Sequence, residues 1–234
     1  MNVSGTLNAF RLLFNPAICL PHHTISTFDQ LPIPLSKAFL SRNASDKRPD
    51  IRAVILDKDN CFAVPHENHV YKPYEQHFEE LKKAYPGSRL LIVSNSAGTN
   101  SDPGFKDAEL LEQNTGMKVL RHSTKKPGCH GEIMSYLRNS PDTGVTGAHQ
   151  VAIVGDRLFT DVMMANMMGA HGVWVRDGVV PDHGLVRCLL RNAWPVWQRS
   201  KMLILEQASR FEKGLHDFLT RRGYAAPETK SEFE

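Results

Sequence analysis

The sequence predicts an α/β fold, a parallel sheet with helices packed on both of its faces. From Ile51 onward short apolar runs recur as AVIL, RLLIVS, MKVL, VAIVG and GVWV. Such unbroken runs mark strands buried on both faces, where one face has no need of polar residues. Segments with helical spacing separate them, and strands alternating with helices build crossover units around a parallel sheet.

The 234 residues suffice for one sizeable core, or for one domain with an appendage. Hydrophobic residues make up 41% and charged residues 23%, as in an ordinary globular protein. A net charge of +3, with no block of lysines and arginines, argues against a nucleic-acid partner. Cys19, Cys61, Cys129 and Cys188 form no CxxC pair, which argues against a zinc ribbon and a disulfide framework. No apolar run approaches the roughly 20 residues that span a bilayer.

Taken in order, residues 1–28 hold no acid and one base, Arg11. Val3, Leu7, Phe10 and Phe14 recur at helical steps on one face, and Pro16 ends that helix. Three readings fit it: a helix docked on the domain, a helix lying in a membrane interface, or a cleaved transit peptide. Residues 15–50 are rich in Pro, Ser, Thr and His and read as a linker pinned by short apolar contacts. The expected division is an amphipathic helix and linker over 1–50, with membrane docking one of its three readings, and the α/β domain with C-terminal helices over 51–234.

Within that domain AVIL is the first strand. PYEQHFEELKKAY then sets Tyr74, Phe78, Leu81 and Tyr85 on one helical stripe, with Gly87 just past its end. PGFKDAELLEQN, PGCHGEIMSYLRN and TDVMMANMMGA supply the later crossovers. From about Pro181 the chain reads as helical, with Trp194 and Trp197 flanking Pro195 and a mixed-charge helix running through Phe218. Residues 222–234 read as a frayed tail.

Open sheets of this kind bind ligands beyond the carboxyl ends of their strands. The polar residues after each apolar run are therefore the candidate site. Asp57 leaves the first strand and Asp59 follows two positions on; Ser94 and Asn95 follow the second; Arg121 to Lys126 follow the third, with Lys125 and Lys126 just before a helix start. Asp156 ends VAIVG, with Asp161 one turn later and Thr160 placed to cap the helix. Each has an ordinary explanation alone, as a loop acid, a turn cap or a solvated lysine. Four acids and a lysine at successive strand ends would repel one another unless a cation and an anion sat between them. A divalent metal and a phosphate satisfy that arrangement.

The order DKDNC, SNS, KKP and GDRLFTD resembles the haloacid dehalogenase superfamily of phosphotransferases, whose motifs are DxDx(T/V), a Ser/Thr, a lysine and GDxxxTD. The resemblance covers roughly 52–175 and implies a Rossmann-like sheet. It implies Asp57 as nucleophile, forming an aspartyl-phosphate, and Asp59 as the acid that protonates the leaving oxygen and later activates water. Neighbouring acids would have to raise Asp59 for the first of these tasks. The resemblance further implies Mg²⁺ held by Asp57, Asp156 and the backbone carbonyl of Asp59, with Asp161 as ligand or support. Ser94 and Lys126 would bind phosphoryl oxygens, with Asn95 assisting; Lys126, directly before Pro127, matches the family lysine better than Lys125. Cys61 stands where the family has Thr or Val and is expected to support the loop rather than to react.

Only 34 residues separate Asp59 from Ser94, which leaves space for a helix and a strand but for no full cap. An uncapped site suits large or membrane-bound substrates. The loop AVPHENHVYKPY offers His66, His69, Tyr71 and Lys72 as head-group contacts, or simply as a solvated hairpin. LDKDNCF, VSNSAGT, HSTKKPG and VGDRLFTDV, with the SGTLNAFRLLFNP beginning, are similar to the mitochondrial phosphatidylglycerophosphate phosphatases of fungi. That implies a membrane phospholipid substrate, a step towards cardiolipin, and peripheral attachment at the matrix side of the inner membrane. A phosphatase of soluble sugar or histidinol phosphates, or a non-catalytic phosphate-binding scaffold, is the competing expectation; intact Asp57 and Asp59 argue against the scaffold.

Overall fold

The computed structural model of the protein describes residues 11–39, 48–179 and 196–229. Six strands form one sheet: β1 His23–Ile25, β2 Ala53–Leu56, β3 Leu90–Ile92, β4 Lys118–Val119, β5 Val151–Gly155 and β6 His171–Val175. Their order is β1-β6-β5-β2-β3-β4, with every neighbouring pair parallel. The chain winds outward from β2 to β3 and β4, then crosses back to β5 and β6. The direction of winding thus reverses between β2 and β5, which opens a crevice at their carboxyl ends. Leu56 is in register with both Ile92 and Val154, so the residues that follow these strands emerge side by side.

The helices are α1 Glu75–Ala84, α2 Lys106–Thr115, α3 His130–Asn139, α4 Met163–Met168 and α5 Val196–Arg221. Alternate residues of β2 serve opposite faces, as a doubly covered strand requires. Val54 and Leu56 pack in one cluster with Phe78 and Leu81 of α1 and Leu111 of α2. Ala53 and Ile55 pack in another with Ile133 and Leu137 of α3 and Met164 and Met168 of α4. The predicted stripe Tyr74, Phe78, Leu81 and Tyr85 is buried throughout. Truncating a fully buried aromatic such as Phe78 to alanine costs about 3–5 kcal/mol. Between Asp59 and Ser94 the described chain holds a loop, a 3₁₀ turn at Lys72–Tyr74, α1 and β3, and no cap.

Both ends of the chain depart from the sequence reading. The segment read as a linker supplies β1 to the edge of the sheet. Phe28, Leu31 and Leu35 enter the α1 cluster fully buried, and the Leu35 amide donates to the Tyr85 hydroxyl at 2.9 Å. β1 spans only three residues with one buried side chain, and the 3₁₀ turns around it are three to five residues long. Neither leaves an apolar run or a helical period to detect. Of the amphipathic N-terminal helix, only the turn Arg11–Phe14 is described; Val3, Leu7 and Phe10 lie outside the described residues.

At the other end α5 continues to Arg221, past Phe218, and Trp194 and Pro195 lie outside the described residues. The tail read as frayed is tied down as far as it is described. His22 donates through Nε2 to the Pro227 carbonyl at 2.9 Å while its Nδ1 accepts from the Gly172 amide. Burial holds His22 below the usual histidine range, in keeping with a neutral ring in that bridge. Among the described residues no helix is long and apolar enough to cross a membrane.

Candidate active site

The site is built on the ends of β2, β3 and β5. Asp57 continues the ladder from β2, its amide donating to the Val154 carbonyl at 2.9 Å. Its carboxylate meets Lys126 at 2.5 Å, and the same ammonium meets Asp161 at 2.6 Å. Lys126 and Asp161 are 2% and 1% exposed, so this contact is made nearly out of water. Asn95 accepts from the Lys126 amide at 2.8 Å and fixes the loop that carries the lysine. Ser94 at the end of β3 is buried; its Oγ accepts from the Ser96 and Ala97 amides and shares a hydrogen bond with the Ser96 hydroxyl. Lys125 is half-buried, and Lys126 alone of the pair is engaged by these acids.

After β5 the backbone turns through a π turn, Leu158–Val162, into α4. Asp161 Oδ2 accepts from the Arg157 amide at 3.2 Å, closing that turn on itself. Gly155 permits the approach, because a Cβ there would collide with the Asp161 carboxyl group. Thr160 does not cap the helix as the sequence suggested. Its hydroxyl contacts Asp161, and Glu212 of α5 instead accepts from the Leu158 and Phe159 amides at 3.1 and 3.4 Å.

Asp57, Asp156 and Asp161 bring carboxylate oxygens within 4.8 Å of one another. Asp156 Oδ2 accepts from Asn60 at 3.1 Å, whereas Asp156 Oδ1 is buried without a hydrogen-bond partner. Burial raises Asp156 well above the usual carboxylate range, Arg157 pulls it back, and the Asp57 and Asp161 charges push it further. Burial likewise raises Asp57, to about 6, against the pull of Lys126 and with a push from Asp161 and Asp59. Crowded, buried, hard oxygen donors with one unsatisfied atom are what a divalent cation neutralises, so these residues fit one.

Asp59 stands outside that cluster. Its Oδ1 accepts from Lys58 Nζ at 2.6 Å and from the His66 amide at 2.8 Å, and its Oδ2 accepts from Ser96 Oγ at 2.8 Å. Burial alone would raise it; the Lys58 ammonium and these hydrogen bonds outweigh burial and hold it below the ordinary range. The expectation that neighbouring acids raise Asp59 is therefore corrected, because its nearest charge is a lysine. Lys58 is 2% exposed and also donates to the Glu67 carbonyl at 3.0 Å, tying the loop after β2 to Asp59.

That loop is not a hairpin. His69 pairs with Glu67 at 3.1 Å, the Tyr71 ring packs on Tyr74 at 5.1 Å, and Lys72 opens the 3₁₀ turn. The Cys61 thiol is buried, with burial the leading cause of a pKa well above the ordinary thiol value, and its Sγ faces the Val154 carbonyl at 3.9 Å. Among the described residues no base contacts it, and nothing there generates a thiolate.

Sequence reasoning missed Lys58, Asn60, Ser96 and Glu212, and held His122 only as one of the strand-end residues 121–126. Ser96 had a signal, since SNS repeats a hydroxyl at the spacing that returns it to one side of the loop. His122 reaches the Thr124 carbonyl at 2.7 Å and the Ser94 carbonyl at 2.9 Å, and its amide donates to the Gly98 carbonyl. Glu212 carried none, because it comes from a helix remote in the chain.

A doubly wound sheet with paired aspartates, a hydroxyl, a lysine and a further acidic pair at its switch point defines a phosphatase of the haloacid dehalogenase class. Within it, the chain matches the model of the mitochondrial PGP phosphatase family over residues 3–180 and belongs to that family. It is 52% identical over 179 residues to the mitochondrial phosphatidylglycerophosphatase of Saccharomyces cerevisiae, covering 76% of this chain and 89% of that one. A probable mitochondrial phosphatidylglycerophosphatase of Schizosaccharomyces pombe is 35% identical over 180 residues, 76% of this chain and 84% of the relative. The chloroplastic/mitochondrial phosphatidylglycerophosphate phosphatase 1 of Arabidopsis thaliana is 34% identical over 125 residues, 53% of this chain and 34% of the relative. No solved structure matches the chain.

Proposed function

We propose that the protein hydrolyses the phosphate monoester of phosphatidylglycerophosphate, releasing phosphatidylglycerol and inorganic phosphate as a step towards cardiolipin. The observation that carries the chemistry is the buried contact of Lys126 with Asp57 and Asp161 beside Asp156. The printed names of the relatives support the lipid substrate, and the crevice without a cap suits a substrate held in a bilayer. Exposed Phe14, Phe211 and Phe218 suit a protein that works at a membrane surface. We place it peripherally on the matrix side of the mitochondrial inner membrane, attached through the N-terminal helix.

In this reading Asp57 attacks phosphorus and becomes an aspartyl-phosphate, splitting one slow displacement into two faster ones. Lys126 and Ser94 bind the phosphoryl oxygens, and Asn95 holds the lysine loop. Asp59 hands a proton to the leaving glycerol oxygen and later takes one from water. Its hydrogen bonds in the free protein suit the second task; a dianionic phosphate arriving beside it raises its proton affinity for the first. Mg²⁺ held by Asp57, Asp156, Asp161 and the backbone carbonyl of Asp59 would neutralise charge on the phosphoryl group when bound.

The test is phosphate release from phosphatidylglycerophosphate in mixed micelles, compared with soluble sugar phosphates under the same Mg²⁺ concentration. Preferential turnover of the lipid is expected. Equal or faster turnover of the soluble compounds would overturn the lipid assignment.

A further inference from the structure

We propose that Arg157 is a specificity-determining residue, whose guanidinium receives the phosphodiester that phosphatidylglycerophosphate carries one glycerol unit away from its monoester. The inference rests on the lipid reading above and adds how the crevice distinguishes such a lipid from a soluble monoester.

Arg157 directly follows Asp156 at the end of β5. Its side chain is 40% exposed where that of Asp156 is 10%, so it stands at the rim of a floor made by the buried acids. Its backbone is fixed, with the amide given to Asp161 and the carbonyl accepting from the Asp161 and Val162 amides at 3.0 and 3.2 Å. The side chain forms a loose ion pair with Asp156 and keeps its hydrogen-bond donors uncommitted among the described residues. The Asp156 carboxylate lies 3.9 Å from Nε, beyond hydrogen-bond reach. Asp156 attracts the guanidinium most, then Asp57, Asp161 and Glu212, but none is within hydrogen-bond reach of it, and the two oxygens of Glu212 are taken by the Leu158 and Phe159 amides. Among the described residues, no acceptor takes any guanidinium N–H.

A guanidinium stays charged and presents a planar fork of donors that matches two oxygens of a phosphate. The monoester belongs to Lys126 and Ser94 on the floor, and the diester of the same head group must then lie further out, where Arg157 is. A soluble monoester has no second phosphate to offer it. Lys125 is the competing cation, half-buried next to Lys126, but an ammonium lacks the fork.

The experiment compares wild type, Arg157→Gln, Arg157→Lys and Lys125→Gln on phosphatidylglycerophosphate in mixed micelles and on p-nitrophenyl phosphate. Circular dichroism and Tm verify that each variant folds. The ratio of kcat/KM for the lipid to that for the soluble ester should fall about 10- to 100-fold in Arg157→Gln, the worth of a charge-assisted hydrogen bond. The loss should lie mainly in KM for the lipid, and Arg157→Lys should recover part of it. A ratio within about twofold of wild type overturns the assignment, whether both activities are retained or both fall together; the latter would make Arg157 a support for Asp156. A fall in Lys125→Gln without one in Arg157→Gln overturns it as well. A wild type with no preference for the lipid removes the lipid reading and this inference together, whereas a wild-type preference that Arg157→Gln does not change removes this inference alone.

Discussion

Asp57 and Asp59 are two positions apart yet live in different electrostatic settings. Asp57 faces Lys126, Asp161 and Asp156; Asp59 faces Lys58, Ser96 and the His66 amide. In the free protein these settings run opposite to the two roles, burial raising Asp57 to about 6 while Lys58 and hydrogen bonds hold Asp59 low; a cation bound at Asp57 and a phosphate beside Asp59 would reverse them. Asp57→Asn keeps shape and leaves Lys126 its contact with Asp161, so the fold should survive while turnover disappears. Asp59→Asn should lower kcat by about 10²–10⁴-fold, the usual worth of a general acid or base. Activity near wild type in either variant, by phosphate release with Tm unchanged, would remove that residue from its role. Asp57 was legible in the sequence because it directly follows an apolar run, and Asp59 because it repeats the acid two positions on. The electrostatic setting of Asp59 was not, since the burial of Lys58 depends on the Glu67 carbonyl folding back over it.

At the scale of elements, the proposed phosphate cradle is two loops joined by one ring. His122 lies between the loop after β3 and the loop after β4, reaching the Ser94 and Thr124 carbonyls, while Asn95 reaches back to the Lys126 amide. His122→Phe keeps the ring volume and removes the ring N–H that these carbonyls face, the loss of a buried hydrogen bond costing about 1–3 kcal/mol. We expect a lowered Tm together with a raised KM for the lipid, because Ser94 and Lys126 would no longer be held in register. An unchanged KM in a folded variant would confine His122 to stability. The strands and longer helices were legible because unbroken apolar runs and 3.6-residue periods are strong local signals. β1, the 3₁₀ turns and the π turn were not, because three to five residues carry no period, and their places are set by partners distant in the chain.

Across the whole molecule, the ends of the chain close over the site's supporting turn. Cys19 and Leu20 from the N-terminal side and Leu219 of α5 form one buried cluster with Leu158, Val162 and Trp174. Glu212 reaches from that helix to the start of the π turn, 4% exposed, and burial raises it from 4.5 to about 7 despite the Leu158 amide, Arg157 and the Phe159 amide. A group whose folded pKa lies above its unfolded value favours folding in its protonated form. Its contribution is therefore complete below about pH 4.5 and is lost as pH climbs through about 7. At about 1.4 kcal/mol per unit, the loss is on the order of 3 kcal/mol. Glu212→Gln stays neutral and keeps one acceptor for the turn, so it does not share this titration. Urea unfolding at pH 5 and pH 8 should show the wild type losing that much stability relative to Glu212→Gln between the two conditions. A difference in stability between the two proteins that is the same at both pH values would mean that Glu212 is ionised throughout, and the link from α5 to the acid cluster would then be independent of pH.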